Sequence, residues 1–126
     1  MDHPTALNAR RLLVESLALL AAPVGAQRAW LAQTHTEPSA DELGLQFDDW
    51  FQLLPQVLAE GVITPDDERA VTAVSQALDA IAPGDWTSRA LSGKAWANVR
   101  MLAGMALVML VGGPVESRKL PAEARA

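Results

Sequence analysis

The sequence predicts an all-α fold, a single-domain bundle of five to six helices. Alanine and leucine dominate the composition and tyrosine is absent, which favours helix. Apolar residues recur at spacings of three and four in most segments, the period of a buried helix face. With 126 residues, the chain is long enough for one core. We expect residues 1–111 to form the bundle and residues 112–126 to form a short polar tail.

The first predicted helix runs from Thr5 to Ala22, with Thr5 as a possible N-cap. Pro23 and Gly25 break it. A second, shorter helical segment covers residues 26–33. A loop at 34–38 follows, because a proline at position 38 disfavours helix in the residue before it.

The third predicted helix begins at Ser39, which with Glu42 matches a capping box. Pro55 lies inside its apolar pattern and should kink or split it near Leu54. Gly61 is expected to end it. The apolar stripe consists of Leu43, Phe47, Trp50, Phe51, Leu54 and Leu58.

The fourth helix has the clearest start signal, TPDDE at residues 64–68. Thr64 is the expected N-cap and Pro65 fits the first helical position, with acidic residues at the positive end of the helix dipole. A short segment, Trp86 to Leu91, precedes the last helix, Lys94 to about Val111. That helix is apolar almost all round, so it should lie in the core or be covered by a second chain at a dimer interface.

Targeting segments are not expected. Residues 10–26 resemble a secretory signal, but Glu15 interrupts the apolar run and the helical pattern continues beyond it. The apolar run 101–111 is too short to span a bilayer. We therefore expect a cytoplasmic protein without a membrane partner. The chain has no cysteine, which excludes disulfides, thiol nucleophiles and thiolate metal sites.

Charge is distributed unevenly around a formal net charge of −5. Nine acidic residues and no Lys or Arg lie between Arg28 and Arg69. Such a region repels the phosphates of nucleic acids and anionic membranes and favours a basic protein partner. The alternative is a solvated acidic face that only aids solubility.

The stretch FDDWF, residues 47–51, is the strongest candidate site. Helical geometry turns Phe47, Trp50 and Phe51 inward and leaves Asp48 and Asp49 on the opposite side. Adjacent carboxylates on a helix diverge by about 100°, so they cannot easily share a proton as a catalytic pair. Three interpretations of these carboxylates follow, in falling order of support: a solvated face, a protein-binding face, and a catalytic or metal site.

Motifs for chemistry are missing. The acidic stretches lack the ligand spacing of an EF-hand, and no Glu-x-x-His pattern of di-iron bundles occurs. His3 and His35 fall in a terminus and a loop, and we predict neither as a metal ligand. Nucleophile elbows and phosphate-binding loops are absent as well, so no cofactor is expected.

Two apolar residues suggest contact rather than core. Trp86 follows a Pro-Gly turn and should be partly exposed, whereas Trp30, Trp50 and Trp96 are predicted to be in the core. Leu45 lies among the acids of the third helix, as in a contact patch for a basic, partly apolar partner. The predicted partner-binding residues are Asp41, Glu42, Leu45, Asp48, Asp49, Asp66, Asp67, Glu68 and Trp86.

The segments DELGLQFDD (41–49), LAEGVITPDD (58–67), WTSRAL (86–91) and WANVRMLA (96–103), in this order, resemble an uncharacterised family of small helical bacterial proteins. The resemblance covers about residues 30–110. It implies a helical fold and no known activity. The family's acids match Asp41, Glu42, Asp48 and Asp49, and an apolar residue at Leu45 belongs to the family pattern.

Size and acidity also resemble those of immunity proteins that neutralise secreted bacterial toxins. We therefore predict a non-enzymatic protein-binding module and, more specifically, an immunity-type inhibitor that presents its acidic helical face to a basic partner. The alternative is a structural homo-oligomer, in its simplest form a homodimer, formed through the last or the first helix. An enzyme would need a pocket of convergent polar groups, which the sequence does not identify.

Overall fold

Six α-helices form the fold in the part of the chain that the computed structural model describes, residues 5–34 and 39–112. The regular elements there are helical, which confirms the predicted all-α class. Two helices, α1 and α5, each pack against α6 on one side and against α3 and α4 on the other. The helices are α1 (Ala6–Ala21), α2 (Val24–Thr34), α3 (Asp41–Phe51), α4 (Leu54–Ala59), α5 (Pro65–Asp79) and α6 (Lys94–Leu107).

Short helical turns fill the connections around α6. Two 3₁₀ segments, Pro83–Asp85 and Arg89–Ser92, lead from α5 to α6. A π-helical turn, Val108–Gly112, continues α6 at its end. The predicted polar tail lies outside the described residues, except for Gly112.

The core is built from one face of each long helix. Leu13, Leu17 and Leu20 of α1 recur at spacings of four and three and are fully buried, as the sequence pattern predicts. Trp96 is also fully buried, and its indole N–H donates to the Asp85 carbonyl at 2.9 Å. Trp30 and Trp50, which were predicted to be in the core, are only half-buried and pack against its edge.

Most predicted helix ends are confirmed. The Thr5 hydroxyl accepts from the Asn8 amide at 3.1 Å, and Gly61 adopts a left-handed φ of 77° just after α4. Pro55 lies in the first turn of α4, which separates that helix from α3. At α5, the Thr64 hydroxyl accepts from the Asp67 amide at 3.1 Å, and the Asp67 carboxylate accepts from the Thr64 amide at 2.9 Å.

Two local predictions are wrong. The capping box of Ser39 and Glu42 does not form, because Ala40 is the N-cap of α3 and no side chain caps that position. The Ser39 hydroxyl instead accepts from the Asp41 amide at 3.1 Å, and its backbone forms an isolated antiparallel bridge with Thr87. The second helix is longer than expected, since α2 begins at Val24, directly after Pro23. Most of the predicted 34–38 loop lies outside the described residues.

Two arginines of the bundle donate hydrogen bonds to the 3₁₀ segment Arg89–Ser92 and the residue before it. Arg28 of α2 donates to the Ser88 carbonyl at 3.1 Å and to the Ser92 hydroxyl at 2.9 Å. Arg100 of α6 donates to the Leu91 carbonyl at 2.8 Å. Partial burial, and then the nearby charge of Arg28, lower the pKa of Arg100. The connection between α5 and α6 is thus held from both sides.

One helical stretch, Lys94–Val111, is long and apolar enough to cross a membrane, with 28% of it buried in the fold. It extends beyond the run 101–111 that the sequence analysis judged too short, because the helix continues through Arg100. The bent pair α1 and α2 passes the same test only if its two helices, which meet at 117°, are taken together. Core helices of soluble proteins also meet this criterion, so the finding decides nothing about a membrane.

The capping box of α5 provides a test of the fold. Replacing Thr64 with alanine removes the acceptor for the Asp67 amide and should lower the free energy of unfolding by about 1 kcal/mol. Thr64→Ser keeps that acceptor and should unfold like the wild type. Urea unfolding followed by circular dichroism measures both. Equal midpoints for Thr64→Ala and the wild type would contradict this account.

Candidate functional site: an acidic groove between two helices

A groove of about 430 Å³ lies between α3 and α5. We call it the acidic groove. Its walls come from the two helices and from Trp86 in the connection between α5 and α6. The lining residues are Asp41, Gly44, Leu45, Phe47, Asp48, Ser75, Leu78, Asp79 and Trp86.

Helix α3 supplies one wall through its periodicity. Asp41, Leu45 and Asp48 follow one another at spacings of four and three, so they lie along one side of the helix. All three are exposed, and Leu45 keeps 55% of its surface accessible. The wall therefore presents an apolar side chain between two carboxylates. The Asp48 carboxylate also accepts from the side-chain amide Nε2 of Gln52 at 3.1 Å, which holds the carboxylate along the helix surface.

Helix α5 supplies the opposite wall near its C-terminal end. Asp79 is the last residue of the helix and is exposed, and no basic residue occurs in that turn. A carboxylate at a helix C-terminus adds to the partial negative charge of the free carbonyls. The negative potential of the groove at this point therefore exceeds that of one carboxylate.

The floor of the groove is apolar. Phe47 is buried at the base of α3 and stacks on Phe51, with ring centroids 5.5 Å apart. Leu78 of α5 is buried beside it. An apolar floor beneath three formal negative charges suits a ligand with an aliphatic stem and a cationic end.

Trp86 closes one end of the groove and is fixed in place. Its ring lies over Gly44, where a Cβ atom would come within 2.7 Å of Cζ3. The ring also meets Trp96 edge to face at a centroid distance of 5.2 Å. Its backbone carbonyl accepts from the Ala40 amide at 3.2 Å. This wall is therefore preorganised, since both ring and backbone are held.

The structure divides the predicted partner-binding residues. Asp41, Leu45, Asp48 and Trp86 come together in the groove, and Trp86 is half-buried, as predicted. Asp49 and Glu42 of α3 do not line it. The four acids of α3 therefore do not act as a single face.

The acids at the start of α5 have other roles. Asp67 is 5% exposed and its carboxylate caps its own helix, so little of its side chain is accessible to a partner. Asp66 is exposed and pairs with Arg69. Glu68 is half-buried and lies outside the groove.

Sequence reasoning missed Gly44, Ser75 and Asp79. Asp79 lies beyond Arg69 and thus outside the acidic region between Arg28 and Arg69. Only the packing of α5 on α3 brings it to the groove. A glycine inside an otherwise apolar helical pattern can indicate close packing at that position. Gly44 is such a glycine, so its contact with another element was predictable in principle.

We searched the described residues for groups that could bind a metal ion or act as a catalytic pair. Within residues 5–34 and 39–112, no group of three or more His, Asp or Glu side chains lies close enough to hold a metal ion. Among the described residues that line the groove, Ser75 is the one with a hydroxyl and none is a histidine. What the groove can offer is a charged, partly apolar binding surface.

Comparisons with known proteins found no similar family model, curated protein or solved structure. The resemblance to small helical bacterial proteins therefore stays a prediction.

Substitution of Gly44 tests the close contact between this residue and the Trp86 ring. Gly→Ala inside a helix normally stabilises by about 0.5–1 kcal/mol, and Gly104→Ala in α6 should do so because nothing lies within 4 Å of its added Cβ. Gly44→Ala should instead lower the free energy of unfolding by about 1–3 kcal/mol, since the Cβ meets the indole ring. Urea unfolding measures both variants.

A double-mutant cycle identifies the cause. In a Trp86→Ala background the ring is absent, so Gly44→Ala should become neutral or stabilising. If Gly44→Ala destabilises the protein equally with and without the indole, the contact is not what the glycine accommodates.

Proposed function

We propose that the chain is a non-enzymatic protein-binding module whose acidic groove receives a basic segment of a partner protein. The observation that carries this proposal is the placement of Asp41, Asp48 and Asp79 around an apolar floor. Neither ion pair identified among the described residues uses these carboxylates, so their charge is available to a ligand.

An arginine side chain fits the chemistry of the groove. Its methylene stem can lie on Phe47 and Leu78, while its guanidinium reaches the surrounding carboxylates. The indole face of Trp86 adds a cation–π surface at the end of the groove. The planar guanidinium uses both carboxylates and ring better than an ammonium does, so we expect arginine to bind more tightly than lysine.

Leu45 extends the surface beyond the groove. An exposed leucine between Asp41 and Asp48 offers an apolar contact beside the charged ones. A partner segment that carries an apolar residue next to its arginine would cover both. Burying the leucine excludes water from the ion pairs, which strengthens them.

The finer proposal is an immunity-type inhibitor. Such a protein would occupy a basic surface of a toxin, and the surrounding acids would speed the encounter through long-range attraction. Its support is the net charge of −5 together with the groove. A toxin gene beside the gene for this chain would supply the partner directly, and protection of cells from that toxin by this chain would test inhibition.

Two triple variants with the same charge change separate the groove from general acidity. Asp41→Asn/Asp48→Asn/Asp79→Asn removes three charges from the groove, and Asp49→Asn/Asp66→Asn/Glu68→Gln removes three from outside it. With a basic partner captured from the native organism and then purified, the groove variant should lose about 100-fold or more in affinity. The control should lose less than about 10-fold, because screened, distant charges contribute weakly.

Titration calorimetry at low and high salt measures this difference. Wild-type affinity should fall as salt rises. Equal losses in the two variants would show that overall charge is responsible and not the groove. Unchanged affinity in the groove variant would contradict the proposal.

A further inference from the structure

The connection between α5 and α6 contains Trp86, the end wall of the acidic groove. Short-range backbone hydrogen bonds span three residues in it, as from the Leu91 amide to the Ser88 carbonyl at 3.3 Å and from the Gly93 amide to the Ala90 carbonyl at 2.8 Å. Hydrogen bonds of this 3₁₀ type have poorer geometry than those of an α-helix. The position of the connection therefore depends on contacts with other elements.

Arg28 of α2 makes several of these contacts with one guanidinium group. Its Nε donates to the Ser88 carbonyl at 3.1 Å, and its Nη2 donates to the Ser92 hydroxyl at 2.9 Å and to the Arg89 carbonyl at 3.4 Å. The guanidinium is planar and holds its donors in a fixed fork. Bridging three acceptors with such a fork fixes their positions relative to one another. The first of these acceptors lies two residues after Trp86.

The position of Arg28 is set by the residue before it. Gln27 is fully buried, and its side-chain Nε2 donates to the Leu19 carbonyl at 3.1 Å and to the Leu20 carbonyl at 3.0 Å. These carbonyls lie in the last turn of α1, where the regular helical partners are missing. Gln27 therefore fixes the start of α2, and with it Arg28, against the end of α1.

Arg100 of α6 joins the same network. Its Nη1 donates to the side-chain oxygen of Gln27 at 3.4 Å and to the Leu91 carbonyl at 2.8 Å. Hydrogen bonds thus run from the end of α1 through a buried amide to the connection. A buried polar network whose members are paired makes the structure around it more rigid.

We propose that Arg28 is a positioning residue of the acidic groove, which holds the connection so that the Trp86 ring stays in place as the end wall. Only Thr87 separates Trp86 from the segment that Arg28 binds, and the Thr87 hydroxyl accepts from the Ala90 amide at 3.1 Å. A shift of that segment is therefore passed on to Trp86. The consequence for binding rests on the proposed function, whereas the position of the ring can be measured without a ligand.

The charge of Arg28 and its positioning role have opposite effects on a cationic ligand. Arg28 is positive, so its long-range field opposes the binding of a cation, and removal of the charge alone should raise the affinity. Displacement of the Trp86 ring should lower the affinity for arginine, because the cation–π contact is lost. The sign of the change therefore separates the two effects.

NMR titration with acetyl-Leu-Arg-amide and acetyl-Leu-Lys-amide measures this sign. The wild type should bind the arginine probe more tightly than the lysine probe. Arg28→Gln should weaken binding of the arginine probe about 3-fold to 10-fold, which is what a cation–π contact contributes. Arg28→Lys keeps the charge and should weaken it similarly, because an ammonium group cannot reproduce the fork.

Arg89→Gln is the matched control. It removes the same charge from the same segment, and the Arg89 side chain is exposed and makes no hydrogen bond or ion pair among the described residues. Its affinity for the arginine probe should stay within about 2-fold of the wild type or rise slightly, because an exposed charge is screened.

The indole signal of Trp86 in ¹⁵N-labelled protein tests the positioning without any ligand. It should shift or broaden in Arg28→Gln and Arg28→Lys and stay unchanged in Arg89→Gln. Circular dichroism of each variant shows that the fold is retained. If the wild type binds neither probe, the proposed binding of arginine fails, and the indole signal still decides whether Arg28 positions the ring.

Two results would overturn the positioning role. One is an indole signal of Trp86 that is the same in the wild type and in both Arg28 variants. The other is an affinity for the arginine probe that rises equally in Arg28→Gln and Arg89→Gln, because charge alone would then explain the effect of Arg28.

Discussion

The close approach of the Trp86 ring to Gly44 is the contact on which the acidic groove depends. It brings the connection before α6 onto α3, and the edge-to-face contact with Trp96 anchors the same ring to α6. Any side chain at position 44 would move the ring and open the end of the groove. Because Gly44 has no Cβ, the Trp86 ring can pack against α3, and this packing sets the shape of one end of the proposed binding surface.

Local signals account for the parts of the fold that the sequence predicts well. Thr5, Thr64 and Pro55 act on their own helix ends, so a few neighbouring residues contain the information. The box predicted at Ser39 failed because Ala40 takes the N-cap position and the Ser39 hydroxyl accepts from the Asp41 amide instead. A distant segment also contacts this backbone, since Ser39 pairs with Thr87 and the Ala40 amide donates to the Trp86 carbonyl. No pattern within α3 indicates those long-range contacts.

The candidate site was only half predictable for the same reason. The period of α3 places Asp41, Leu45 and Asp48 on one side, and this is readable in the sequence. The contribution of Asp79 depends on how α5 packs against α3, which is tertiary information. Asp67 shows the opposite case, because the carboxylate of an acid at a helix start can cap the helix and be taken up by that role. A count of acidic residues between Arg28 and Arg69 cannot distinguish a carboxylate that caps a helix from one that binds a partner.

The groove and the exposed apolar residues of α6 lie on different parts of the bundle, since α1 and α5 pack between α3 and α6. The central claim is that the groove itself binds. Titrating the ¹⁵N-labelled chain with its purified basic partner should shift the Gly44 amide and the Trp86 indole signals and leave the amides of Met101 and Val108 unmoved. Shifts confined to α6, or to the start of α5 around Asp66, would contradict it.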